Sequence, residues 1–334
     1  MDNSHTIGYF EAMSSERIRL EGIDPRTWEH PADRAALTLL TQVPGLADLL
    51  KLLGGLTSDR SLRLGWLSSS VRSGPLQLPA AHQAVVEACR ILDVAPVPEV
   101  FVATGLDYNA RALGFQVPFV VLGSGLVQAL SPEELLAVAG HEVAHLKAGH
   151  TVHRTALWIL TQLSLHLTQA ADLVRLPIYA ALRDWDRKCE LSCDRAGLLA
   201  CQNPAAALSA LVKVSYPGMA DRVDESELLR QGREWESTGD LLDSLFKVLG
   251  SWDDSHPALV QRYAALHAWS EGSEYPAILA GSLRREGGAD PAREVQQAWD
   301  EWKSDLNRSQ DPGARVVADV VRQAESLLKD LLGR

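Results

Sequence analysis

The sequence predicts an α+β fold, mostly α-helical, with a small β-sheet packed on one buried helix. Three observations predict it. Helical stretches recur along the chain, at residues 80–92, 225–249, 258–269, 292–306 and 314–332. Two short runs, residues 100–103 and 119–122, are β-rich and bounded by Pro and Gly, as strands are. A helix that starts after Ser131 is apolar nearly all round, so it belongs inside, with the sheet laid against it.

The chain has 334 residues, 46% of them hydrophobic, which allows one large or two modest domains. Three regions are expected: a helical extension over residues 1–79, a core domain over 80–270, and a second helical extension over 271–334. Residues 1–80 read as helical, punctuated by Pro25, Pro31, Pro44, Gly54 and Gly55. Residues 44–56 read as a turn and a short apolar helix, and 76–79 as an extended link. The helix at 80–92 carries Val85, Val86, Cys89 and Leu92 on one stripe. Net charge is -11, so a nucleic-acid partner is not suggested. The first residues lack the basic and apolar segments of a signal peptide. Cys89, Cys189, Cys193 and Cys201 show no disulfide framework, so a reducing cytoplasm is the default location.

The buried helix opens with Ser131 at the N-cap, Pro132 at N1 and Glu134 at N3, a capping box. Gly140 inside it costs about 1 kcal/mol relative to Ala, which suggests close packing against another element. His141, Glu142 and His145 then form H-E-x-x-H. At roughly 100° per residue the two histidines lie about 40° apart around the helix. Both imidazoles therefore reach one metal ion from the same face. Glu142, about 100° from His141, stands beside that ion. There it can take the proton of a metal-held water, as a general base does in metallopeptidases. The plain alternative is a helix with two surface histidines and a glutamate, and the apolar flanks argue against it. His150 lies roughly 900° past His141, on the opposite side of a continued helix. Position 151, where a longer zinc motif needs histidine, holds Thr. His150 and His153 therefore read as helix-end residues.

A catalytic zinc site keeps three protein ligands and one open position. Residues 189–195 read C-E-L-S-C-D-R, with Glu190 and Asp194 on one helical face. Glu190 could ligate the metal, and Asp194 could accept an N–H from a ligating histidine. By spacing alone, an exposed face with an Asp194–Arg195 pair is an equal reading. Cys189 and Cys193 share the same spacing and could make a closed structural site with the histidines. That site leaves Glu142 and Glu190 without a role, and buried free thiols are the expected state.

Over residues 98–266 the chain resembles the HtpX-like zinc metallopeptidases, a group that includes the CAAX prenyl endopeptidases. Four blocks carry the likeness. Residues 109–114 (N-A-R-A-L-G) are similar to a strand segment N-A-x-A-x-G, and residues 131–150 to the helix with H-E-x-x-H. Residues 190–195 resemble the E-x-x-x-D-R block, and Ser255, His256, Pro257 and Arg262 an S/T-H-P-x-x-x-x-R block. The resemblance implies a zincin-like core with one zinc per chain, held by His141, His145 and Glu190. It implies Glu142 as the base, with His256 beside the zinc as an oxyanion donor or an occupant of the open position. It also implies a substrate strand along Asn109, Ala110, Ala112 and Gly114.

Many relatives carry transmembrane helices between the second histidine and the Glu ligand. Here residues 155–171 are uncharged but contain Gln162, Ser164, His166, Thr168 and Gln169, and Asp172, Arg175 and Pro177 follow. A span needs about 20 mostly apolar residues. The expectation is one buried or surface-seated amphipathic helix, with membrane contact peripheral at most. The function expected is a soluble zinc metalloendopeptidase acting on polypeptides, unfolded or misfolded protein among them. The rival is a chaperone-like or latent protein that keeps the zinc fold with its open position blocked, and the intact Glu142 argues against it.

Overall fold

The computed structural model describes residues 17–43, 45–104, 108–164, 172–237 and 258–282. In chain order the elements are α1 (Pro31–Gln42), α2 (Leu46–Leu56), α3 (Asp59–Ser69), β1 (Val71–Ser73), α4 (Pro79–Ile91), β2 (Glu99–Ala103), β3 (Ala110–Leu113) and β4 (Phe119–Gly123). There follow α5 (Ser124–Ala129), α6 (Pro132–Lys147), α7 (Thr151–Ser164), α8 (Asp172–Cys201), α9 (Pro204–Ser215), α10 (Glu225–Ser237), α11 (Leu259–Glu271) and α12 (Glu274–Leu279). The class is the expected one, mostly helical with one small sheet. The helices expected at 292–306 and 314–332, and the second half of that expected at 225–249, lie outside the described residues.

The sheet has the order β1-β2-β4-β3. β2 and β4 run parallel, while β1 and β3 pair antiparallel with them. Both faces of the sheet are covered, which is why β2 and β4 read as continuous apolar runs rather than alternating ones. Val100, Val102, Val120 and Leu122 pack into the main core with α4 and α6. Phe101, Phe119 and Val121 face Leu62 and Trp66 of α3 and Trp158 of α7. β1 was not anticipated, because three residues carry too little pattern to read. The extended link expected at 76–79 is instead a tight turn, with Gly74 and Gln77 exchanging backbone hydrogen bonds of 2.8 and 3.1 Å.

The helix pair α6–α8 is the centre of the molecule, and two glycines set its closeness. A Cβ on Gly140 would stand 2.3 Å from Ala200 Cβ, and one on Gly197 would stand 2.7 Å from the Ala137 carbonyl oxygen. Neither gap admits a methyl group, so the two backbones meet there. The turn of α6 that follows this crossing carries His141 and His145. A Gly197→Ala substitution is therefore expected to push the helices apart and destabilise by about 1–3 kcal/mol, the usual cost of overpacking. A urea midpoint unchanged from the parent would contradict this account of the crossing.

Among the described residues, no single helix is long and apolar enough to cross a membrane. α1 and α2 reach that length and apolarity only as a pair, across an 84° bend. Both bury Ala36, Leu40, Leu46 and Leu53 against this chain's own α7 and α8.

Candidate active site

α6 begins as the sequence indicated, with Ser131 and Glu134 in a complete capping box. Its end was harder to read. Gly149 adopts φ +72°, and its N–H and that of His150 bond back to the Leu146 and His145 carbonyls at 3.1 and 2.9 Å. This is the left-handed glycine stop of a Schellman motif. The chain reverses, so His150 does not continue around α6. Its buried ring returns to His145, with the two Nδ1 atoms 3.2 Å apart.

α8 runs across α6 and brings Glu190 to the histidines. His141 Nε2 and His145 Nε2 lie 3.2 Å apart. Glu190 Oε2 is 3.4 Å from the first, and Glu190 Oε1 is 3.4 Å from the second. All three side chains are buried. Ligand bonds of 2.0–2.2 Å at tetrahedral angles put neighbouring ligand atoms about 3.3–3.5 Å apart. The two nitrogens, and each nitrogen with one oxygen of the Glu190 carboxylate, thus have the spacing of neighbouring corners of a zinc tetrahedron, and the residues fit that ion. Other donor sets, His141–His145–Cys193 and His145–His150–Cys189, fall within 4.8 Å. Burial holds both thiols well above their usual pKa. Cys193 Sγ also sits on the opposite side of the His145 ring, 3.3 Å from Nδ1.

His141 Nδ1 lies 3.0 Å from Asp194 Oδ1. Asp194 is gripped in turn by Arg262 of α11, with Nε–Oδ2 at 2.8 Å and Nη2–Oδ1 at 2.5 Å. Burial works against the Asp194 carboxylate, but the Arg262 charge overcomes it and holds the pKa below the usual range. For His141, burial opposes the charge, yet Glu190 and Asp194 together raise the pKa to about 9. Burial and the Arg154 charge lower His145 well below 6.5.

Glu142 is buried and lines one cavity with His141, Glu190 and Arg262. Asn109 and Ala110 enter the same cavity from β3, the edge strand. Gly123 N–H donates to the Asn109 carbonyl at 2.8 Å. By the alternation of antiparallel pairs, the backbone groups of Arg111 then face β4 and those of Ala110 and Ala112 face the outer edge. Gly114 has another task. At φ +131°, its N–H is taken by Thr155 Oγ1 at 2.8 Å, and a Cβ would stand 2.6 Å from Pro118 Cα. It shapes the turn between β3 and β4. His256 lies outside the described residues.

Sequence reasoning missed Arg154, on the first turn of α7. Its Nη1 is 2.5 Å from Glu190 Oε1 and touches His145 Nε2, and its Nε is 3.5 Å from Asp186 Oδ1. It missed Asp33 of α1 as well. That fully buried carboxyl accepts hydrogen bonds from Trp185 Nε1 at 3.1 Å and Ser192 Oγ at 2.5 Å, and burial raises its pKa to about 8.

The chain matches the model of Peptidase family M48 over residues 75–270, more than half its length. It belongs to peptidase family M48. The M48 chain is 31% identical over 273 residues to plastoglobule-localized metallopeptidase 48, chloroplastic, of Arabidopsis thaliana, covering 80% of this chain and 79% of that one. It is 28% identical over 252 residues to a protease HtpX homolog of Moorella thermoacetica, covering 65% and 80%. It is 25% identical over 189 residues to protease HtpX homolog 2 of Methanosarcina mazei, covering 49% and 63%. No solved structure matches it. The HtpX-like resemblance drawn from the four sequence blocks is thereby borne out. This M48 member is a metallopeptidase, and its substrates are polypeptides.

Proposed function

We propose that this metallopeptidase is a zinc-dependent endopeptidase with His141, His145 and Glu190 as ligands and Glu142 as general base. The 3.2–3.4 Å spacings among the two Nε2 atoms and the two Glu190 carboxylate oxygens carry the reading. Zinc held there supplies a Lewis acid for the scissile carbonyl and lowers the pKa of water bound to it. The chain's own residues do the rest. Asp194 accepts from His141 Nδ1, which leaves the Nε2 lone pair for the metal, and Arg262 fixes Asp194 in that position. Glu142 takes a proton from the attacking water and returns it to the leaving amine. His256 would assist as a donor to the oxyanion.

The outer edge of β3 at Ala110 and Ala112 would hold the substrate by strand addition. That binding demands an extended backbone, which favours unfolded segments. Leu126, Val138, Leu211, Val214 and Leu266 line the cavity beside Glu142 and suit a bulky apolar side chain. The four cysteines are free, in keeping with a reducing compartment such as the cytoplasm.

Metal analysis tests the ligand set. The parent is expected to bind one zinc per chain, and Glu190→Ala to hold it far more weakly in competition with a chromophoric chelator. Equal retention by the two proteins would remove Glu190 from the set. Digestion of unfolded casein, lost on chelation and restored by zinc, tests the activity.

A further inference from the structure

A second cavity, of about 220 Å³, adjoins the first, and Asn109 and Ala110 line both. Its character is different. Three guanidinium groups, those of Arg111, Arg154 and Arg183, face one carboxylate, Asp186, with Trp158 alongside. The chain as a whole carries a net charge of -11, so this cationic lining is local. Arg154 is answered by Glu190 at 2.5 Å and Asp186 at 3.5 Å. Arg183 Nε donates to Tyr179 Oη at 3.2 Å. Arg111 stands apart. Its Nε is buried and makes no hydrogen bond among the described residues. The carboxylates of Glu142, Asp186 and Glu190 act on the Arg111 charge from a distance, but the buried Nε–H donor itself is left without an acceptor, which is costly, and an anion placed beside it removes that cost.

The position of Arg111 in the sheet says where the anion would come from. A strand added to the outer edge of β3 places one residue directly opposite Arg111, on the same face of the sheet. Because the backbone groups of Arg111 point to β4, that cross-strand pair is of the close, non-hydrogen-bonded kind, with Cα atoms about 4.5 Å apart. Opposite charges in such a pair stabilise it, and like charges oppose it. We propose that the second cavity is a carboxylate-reading substrate subsite, with Arg111 as the residue that selects an acidic group on the bound peptide. This rests on the peptidase reading of the adjoining cavity. The carboxylate can come from an Asp or Glu side chain or from the peptide's own C-terminus.

The test is read as binding, so it does not depend on turnover. Glu142→Gln protein, loaded with zinc, is titrated with fluorescent unstructured peptides that carry Glu or Gln at one scanned position. Each is made with a free and an amidated C-terminus. Binding about tenfold or more tighter for Glu at one position supports a side-chain subsite, given the usual strength of hydrogen bonds to charged groups. A preference that follows the free C-terminus instead supports the same subsite with the terminal carboxylate as its ligand. Arg111→Gln is expected to abolish whichever preference is found while leaving affinity for the Gln, amidated peptide unchanged. Equal affinities for all four peptides overturn the proposal, and these arms need no Arg111 variant to fold. Equal weakening of every peptide by Arg111→Gln overturns it too, since that marks a structural side chain. Absence of cleavage by the zinc-loaded parent, with the binding preference intact, counts against the peptidase reading alone.

Discussion

Glu142→Gln is expected to abolish nearly all peptide hydrolysis while leaving fold and metal content unchanged. Glu142 is buried, follows a ligand-bearing residue on α6 and lines the same cavity as His141 and Glu190. Gln keeps the size and the hydrogen-bonding capacity but cannot accept a full proton at neutral pH. A positioned general base contributes about 10²–10⁴-fold, so kcat should fall by that factor with little change in KM. Activity equal to the parent would show that another group moves the proton. A parallel loss of zinc would show instead that Glu142 acts on the site's structure.

Arg262→Leu carries the largest expected cost to stability. Arg262 and Asp194 are both buried and joined by two hydrogen bonds, and Arg262 Nη1 also stands 3.3 Å from Glu190 Oε2. Removing the cation leaves two buried carboxylates close to each other without that counter-charge. Breaking a buried pair from one side costs about 3–5 kcal/mol. The unfolding midpoint in urea should drop accordingly. The double variant Arg262→Leu, Asp194→Leu should recover part of the loss, because it removes one stranded charge as well. A single variant as stable as the parent would contradict the role assigned to this pair. So would a double variant that loses the sum of the two single changes.

What could be read from the sequence was local. The capping box at Ser131 and Glu134 is a four-residue pattern, and it formed as expected. The pairs His141–His145 and Glu190–Asp194 repeat every four residues, so helical geometry alone put each pair on one face. The two β-rich runs became β2 and β4 with limits shifted by one residue. What could not be read was contact between elements. Arg154 meets Glu190 across 36 residues, and no spacing rule reaches that far. Gly140 announced a close approach, but its counterpart Gly197 lies on another helix. His150 is a helix-end residue, as its sequence position indicates, but the angle along a continued helix does not give its orientation, because the helix has already ended at Gly149.

The account turns on the Nε2 atoms of His141 and His145 and the carboxylate of Glu190 forming one metal corner. A crystal of the zinc-loaded protein, measured on both sides of the zinc absorption edge, tests this most directly. The account predicts one anomalous peak per chain, within ligand-bond distance of all three residues, with Asp194 on the far nitrogen of His141. A peak on the Nδ1 side of His145, among His150, Cys189 and Cys193, would contradict it.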